Sequence, residues 1–378
     1  MAIAKTSADI IVIGAGMAGA SVAAELSATA RVVLVERETQ PGYHTTGRSA
    51  AMFTKAYGPA AIRALSRASH PFFLGEGPGN PPAGLLRQRG AIFIGRADQA
   101  DSLAHMEAEL GAAVTPKSAA FACDLVPILR PDYVAAALYD TDAADIEVHE
   151  LHQHYLRLFK AQDGALDLRA EVLGLSRDGA DWLVDTREGQ VRAPVVVNAA
   201  GSWADEIAAM AGLDPLGLQP KRRTAMLVAP PAGVVPDPWP MVVDADENFY
   251  LKPDAGKLLL SPADETPSAP CDAQPEELDI AICVDRIETA FDLQVRRIEH
   301  KWAGLRSFLP DGNPAVGYAP EAPGFFWLVG QGGYGIQTAP AMARYAAALV
   351  RGEAIPGDIE AEGLAPDSLS PTRKELVA

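Results

Sequence analysis

Cysteine is scarce in this chain of 378 residues, with only Cys123, Cys271 and Cys283 present. Their spacing contains no CxxC or other metal-ligand pattern. A disulfide framework is therefore not expected, and a reduced, cytosolic compartment fits, with the thiols as inert packing groups. Basic residues are also in deficit, 32 against 49 acidic, for a net charge of −17. That balance favours solubility and argues against nucleic acid or anionic lipid as a partner, while leaving room for a local cationic pocket. One nearly uncharged apolar run, Ile10 to Ala24, could be misread as a membrane span, and no other apolar stretch is long enough to cross a bilayer. Glycines within that run, Asp9 at its start and a leader, MAIAKTSA, without a basic n-region mark it as a buried parallel strand and turn, not a signal peptide or an integral membrane segment. Peripheral attachment beside a membrane electron acceptor would leave no trace in the sequence. No metal site is expected: His149, His152 and His154 lie on or beside a helix, and the i, i+2 spacing of the last two puts them on different faces.

What the chain does contain is a hydrophobic content of 48%, enough for two cores. At its N-terminal end an apolar strand runs into Gly14, Ala15, Gly16, Met17, Ala18 and Gly19 and then into an Ala-rich helix. Gly14 allows the tight turn, Gly16 lets the backbone approach a pyrophosphate, and Gly19 lets helix and strand pack. A second strand, Arg31 to Val35, ends in Glu36, placed to accept from a ribose. Strand, glycines, helix, strand and terminal acid in this order point to a dinucleotide site. A polar loop, TQPGYHTTGRSAAMF, follows, then a helix over 60–74 and a Gly/Pro-rich connection over 75–84. Ala91 to Ile94 reads as a strand and Asp98 to Leu110 as a helix. From 150 onward helix, strand and the run Val195 to Trp203 resume the first domain. Residues 219–300 suggest a mostly antiparallel sheet, broken by a Pro-rich acidic insert over 262–279. A last strand, Phe325 to Gly330, enters a second glycine-rich turn, Gln331 to Gly335, and a helix. Two such turns far apart in sequence suit one large cofactor gripped at two places. The tail after 352 reads as a surface strap.

The segments VIGAGMAGAS, PGYHTTGRSAA, VNAAGSWADEIA, LGLQPKRR, FYLKPDAG, WAGLRSF and GQGGYGIQT together resemble the D-amino-acid oxidase and glycine oxidase superfamily of FAD-dependent amine oxidoreductases. Within it the chain is most similar to the branch of bacterial D-arginine dehydrogenases. The resemblance implies an α/β fold: an FAD-binding Rossmann-like domain of the glutathione-reductase type (1–85, 145–218 and 300–378), interwoven with a mixed, largely antiparallel substrate domain (86–144 and 219–299). It implies non-covalent FAD on Gly14, Ala15, Gly16, Ala18, Gly19, Glu36 and Arg37, with Val172 near the adenine. Ala200, Gly201 and Trp203 join that wall, Arg48, Ser49 and Ala50 line the flavin side, and Gly332, Gly333, Gly335, Ile336 and Gln337 close over the ring. Arg306 and Tyr250 match carboxylate-binding positions, where a planar guanidinium fork and a phenol would hold the substrate. Arg223 matches a third contact or belongs to a solvated basic patch. The Gly333 carbonyl would accept from the substrate amine, and Tyr57 is a pocket wall or a core tyrosine. His44 sits in the loop nearest the flavin, where a supporting role fits better than proton transfer.

Departures from that branch shape the substrate expectation. Where D-arginine dehydrogenase holds the guanidinium with a carboxylate, this chain has Ala91, and Met52 and Phe53 replace a histidine and a tyrosine. A cationic side chain entering unpaired would cost about 2–5 kcal/mol if fully desolvated. Neutral or apolar D-amino acids are therefore expected, oxidised to 2-oxo acids and ammonia by hydride transfer from Cα to flavin N5. Glu76, in the 75–84 connection, is the alternative acid that would restore D-arginine or D-lysine. Secondary amines such as sarcosine, other N-alkyl amino acids or opine-like conjugates keep the same carboxylate clamp and are the rival substrates. The electron acceptor, whether quinone, other carrier or oxygen, is left open.

Overall fold

A computed structural model describes residues 6–79 and 81–376; the first five residues of the leader lie outside them. Strands Ile10–Ile13 and Val32–Val35 are uniformly apolar because both faces of their sheet are covered. They are parallel neighbours in a six-stranded sheet, with Ala165–Asp167 beyond one and Val195–Asn198, Phe325–Val329 and Ala315–Tyr318 beyond the other. Only the last pair is antiparallel. Against this sheet pack helices Met17–Ser27, Val148–Ala161 and Ala339–Arg351, whose small residues Ala20, Ala23, Ala346 and Ala347 allow close approach around Tyr155, Phe159 and Tyr345. This is the dinucleotide-binding layer that the glycine motif demands. A four-stranded sheet of Thr6–Ser7, Gly189–Ala193, Asp181–Thr186 and Val172–Asp178 lies beside it.

The second layer is an eight-stranded sheet in the order Ile298–Phe308, Gln219–Val228, Lys257–Ser261, Tyr250–Asp254, Met241–Asp244, Ala91–Gly95, Ala136–Asp140 and Thr115–Ser118. One contact in it is parallel, between Met241–Asp244 and Ala91–Gly95. The boundary expected at 299 is corrected here. Residues 300–308 pair with Gln219–Thr224 and on to Leu227, so Arg306 is carried by the eight-stranded sheet. A second correction is helix Glu277–Ala290, in a region read as insert and sheet. Its buried residues Ile280, Cys283, Ile287 and Ala290 recur at helical spacing and fill the core of this layer.

The tail after 352 is also more than a surface strap. Ile359, Leu364 and Leu369 are buried in the main core, and Arg373 donates to both Asp311 carboxylate oxygens, at 2.7 and 2.8 Å, and to the Pro314 and Asn313 carbonyls. Burial raises the Asp311 carboxyl, but the hydrogen bonds and charge of Arg373 outweigh it and hold it below its ordinary range. A depressed carboxyl stabilises the fold above its unfolded pKa of about 4, and this contribution disappears as pH falls through the lower folded value. Arg373→Ala, which strands Asp311, is expected to destabilise the protein by about 3–5 kcal/mol. Thermal melts should show that loss at neutral pH and a narrower gap from wild type in acid; a variant melting like wild type at neutral pH contradicts the assignment.

Candidate functional site

The two layers face a single long cleft lined from both glycine-rich turns. At one end, strand Ile10–Ile13 stops at Gly14, whose φ of +98° and whose position, with a Cβ only 2.6 Å from the Ala199 carbonyl oxygen, both require glycine. A Cβ at Gly19 would stand 1.7 Å from the Gly14 carbonyl oxygen. Gly19 therefore works inside the turn, while Gly16 and Ala18 line the cleft. Glu36 is nearly buried, and its carboxylate accepts from the Ala15 N–H at 2.8 Å and the Glu38 N–H at 2.9 Å. Ala15 thus orients Glu36 and does not itself line the cleft. Arg37 stacks over Trp203 at 4.7 Å, with Glu171 3.6 Å away, and Val172, Ala200 and Gly201 complete this end.

Two supports of the turn had no visible sequence signal. Thr46 Oγ1 accepts from the Met17 N–H at 2.9 Å, capping the helix from a distant loop. His152 Nε2 lies 3.0 Å from the Ala15 carbonyl oxygen. Burial pushes His152 below its ordinary pKa, so the ring is neutral, and because the carbonyl only accepts, Nε2 carries the proton.

The loop over 42–51 is stitched to strand Ile298–Phe308. Thr45 Oγ1 donates to Leu305 O at 2.7 Å, Arg48 to Ala303 O at 2.9 Å, and Trp302 Nε1 to Arg48 O at 3.0 Å. Arg48 also binds the acidic insert through Ala273 O, at 3.0 Å, and Asp272. Its guanidinium is thus engaged by protein groups, and Arg48, Ser49 and Ala50 all line the cleft. His44 pairs with Glu38 at 2.9 Å beside Trp203, a supporting position.

At the other end stand Arg306, Tyr250, Arg223, Ala225, Gly332, Gly333, Gly335 and Ile336. Arg306 is half-buried, yet among the described residues it makes no ion pair and no hydrogen bond, in a protein of net charge −17. A Cβ at Gly333 would lie 3.1 Å from its Nη1, so the second glycine turn arches directly over the guanidinium. Burial works against its charge, but the Tyr250, Tyr57 and Tyr334 side chains and Glu247 outweigh that and raise its pKa. Arg223 reaches the cleft but pairs with Glu265 at 2.9 Å, and Glu265 also takes Lys221 at 2.8 Å. Arg223 is therefore a buried cleft residue and not part of a solvated basic patch.

Four expected residues stand back from the lining. Tyr57 packs edge-on against Tyr334 at 5.0 Å, and burial pushes its phenol up. Gln337 is buried, accepting from Thr54 N–H at 3.2 Å and donating to Ser66 Oγ at 3.0 Å. Met52 is paired with Asp145 in a three-stranded sheet, and Ala91 is buried between Met241 and Asp140. The exposed Glu76 is not part of the lining either.

Among the described residues there is no cluster of three or more His, Cys, Asp and Glu able to hold a metal, and no helix long and apolar enough to cross a membrane. The sequence model of a family described as FAD dependent oxidoreductase (DAO) matches residues 9–349. Glycine oxidase of Geobacillus kaustophilus is 25% identical over 364 residues, covering 90% of this chain and 92% of the relative. Its crystal structure superposes with a TM-score of 0.80 over 97% of this chain and 99% of that one, at 24% identity. Rat mitochondrial dimethylglycine dehydrogenase is 26% identical over 241 residues, 59% of this chain but 28% of that longer protein. L-alpha-glycerophosphate oxidase of Mycoplasma pneumoniae, solved with FAD bound, shares the fold with a TM-score of 0.79 at 17% identity, covering 91% of this chain and 95% of that one. The cleft fits such a cofactor: side-chain-free backbone lines it at both turns, and at the second turn Gln331 Nε2 is buried without a partner among the described residues.

Proposed function

The chain belongs to the FAD-dependent oxidoreductase family and uses FAD as its cofactor, and on that premise we propose that it oxidises D-amino acids with neutral or apolar side chains to 2-oxo acids and ammonia. The observation that carries this reading is the Arg306 guanidinium, without a partner among the described residues, beside the buried Tyr250 phenol under the Gly333 arch. A fork of donors with no protein acceptor calls for a carboxylate. Arg223 is held in place by Glu265, which it shares with Lys221, whereas Arg306 is the guanidinium at this end with no protein acceptor among the described residues. No carboxylate lines this end of the cleft among the described residues, and the acid a cationic side chain would have to reach is Glu247, whose charge is felt at Arg306, Tyr57 and Tyr334. The D configuration rests on the resemblance of FYLKPDAG, WAGLRSF and GQGGYGIQT to the D-arginine dehydrogenase branch.

FAD supplies the acceptor for the hydride that leaves Cα. The chain's part is positional. Arg306 and Tyr250 hold the carboxylate, the Gly333 carbonyl accepts from the amine, and fixing both presents the Cα–H bond of one enantiomer. Burial raises the Tyr57 and Tyr334 phenols, which stand beside Arg306.

A second reading, secondary-amine oxidation, is favoured by the similarity to dimethylglycine dehydrogenase over 59% of the chain. Product analysis with the holoprotein separates the two. Ammonia and a 2-oxo acid from D-leucine or D-methionine support the primary-amine reading, whereas turnover confined to N-methyl amino acids, with release of aldehyde or alkylamine, overturns it.

A further inference from the structure

Lys252 is buried, 7% exposed, on strand Tyr250–Asp254. It lies two residues beyond Tyr250 and so projects from the same face of the sheet. Its Nζ donates to the Ala50 carbonyl at 2.8 Å and lies 2.8 Å from Asp145 Oδ1. The other Asp145 oxygen accepts from Arg89 Nε at 2.5 Å, and Arg89 Nη1 donates to the Trp239 carbonyl at 2.9 Å. The side chains of Arg89, Asp145 and Lys252 are 4, 14 and 9% exposed. Two cations therefore share one carboxylate, and the cluster keeps one uncompensated positive charge away from water. Such an arrangement is costly unless something offsets it.

Ala50 is the point where the cluster meets the site, because it lines the cleft with Ser49 and Tyr250. Next to it, Ala51 holds φ +22°, a left-handed value unfavourable for a residue with a Cβ. That backbone is held from both sides: the Ala51 N–H donates to Ser49 Oγ at 3.1 Å, and the Ala51 carbonyl accepts from the Ile146 N–H at 3.1 Å. Asp145 and Ile146 belong to one strand, so the ion cluster and the clamp on Ala51 move as one unit.

We propose that Lys252 is a positioning residue for the flavin: through Ala50 it holds the Ser49–Ala51 wall, and its charge, left in excess by Asp145, favours the electron-rich reduced cofactor. A buried positive charge behind the flavin wall stabilises the added electrons because the interior screens it weakly. The inference rests on FAD being the cofactor and not on which amine is oxidised.

The test is the midpoint potential of the purified holoprotein, equilibrated against a reference dye without substrate. Lys252→Met is expected to shift the redox equilibrium at least about tenfold toward the oxidised form, about 30 mV for a two-electron couple. Lys252→Arg, which keeps the charge, should stay near wild type, and Asp145→Asn, which removes the compensating charge, should shift the potential the opposite way. A Lys252→Met protein that keeps FAD and stays within threefold of wild type overturns the proposal, as does an equal fall in the arginine variant. If Lys252→Met does not retain FAD, the sign of the Asp145→Asn shift decides, and an unchanged or lower potential overturns it. Failure of the amino-acid reading would appear in product analysis and leave these potentials unaffected.

Discussion

Replacing Arg306 with methionine is expected to lower kcat/KM for the proposed neutral D-amino acid substrates by about a thousandfold while leaving FAD bound. A charge-assisted hydrogen bond contributes roughly 1.5–3 kcal/mol, and a bidentate grip on a carboxylate makes two of them. The loss, about 4 kcal/mol, corresponds to three decades at about 1.4 kcal/mol per tenfold. Because Arg306 makes no ion pair or hydrogen bond with the described residues, its removal strands no protein carboxylate. The variant should therefore fold and melt close to wild type. Arg306→Lys keeps the charge but loses the fork and should recover only part of the rate. Steady-state kinetics with the flavin content measured in parallel checks this. A methionine variant within tenfold of wild type would remove Arg306 from the substrate.

Gly19→Ala is expected to weaken FAD binding by up to about a hundredfold. The added Cβ would lie 1.7 Å from the Gly14 carbonyl oxygen, and both partners are backbone, so the strand-to-helix turn must open by more than an ångström. Overpacking of this kind costs typically about 1–3 kcal/mol, taken here from the geometry that FAD binds. Gly16→Ala provides the contrast. Its φ is −71°, and the nearest atom to an added Cβ is Thr46 Oγ1 at 3.4 Å, so the turn tolerates the methyl group. But Gly16 faces the cleft, and the methyl group would stand where the pyrophosphate approaches. Gly16→Ala should melt like the FAD-free wild type yet bind FAD weakly, whereas Gly19→Ala should lose stability as well. Flavin absorbance per protein and melts of the FAD-free proteins distinguish the two, and a Gly19→Ala protein that retains FAD fully would contradict the packing argument.

The sequence made the cofactor layer legible because its signals are local. A strand, three glycines, a helix and a terminal acid all fall between Ile10 and Glu36, and each has a conformational reason that needs no knowledge of the rest. Arg306 and Tyr250 became visible through flanking motifs; composition alone would have favoured an ion pair for Arg306. Hidden features depend on distant partners. The pairing of Arg223 requires Glu265, the cap on Met17 requires Thr46, and His152 reaches Ala15 from another helix. No periodicity announces such contacts. Helix Glu277–Ala290 is different, since its apolar spacing is present in the sequence but follows a Pro-rich acidic stretch that masks its start. The strand ending at Phe308 shows the same limit at a boundary: WAGLRSF was recognised for its arginine, while its pairing with Gln219–Val228 is settled only by register.

Anaerobic mixing of the FAD holoprotein with D- and L-leucine, D- and L-methionine, D-arginine, sarcosine and 2-hydroxy acids, followed by flavin bleaching, tests substrate class and stereochemistry together. Fast bleaching by D-leucine and D-methionine, slow bleaching by D-arginine and none by the L-enantiomers is the predicted result. Bleaching confined to L-amino acids, to sarcosine or to 2-hydroxy acids would contradict the account.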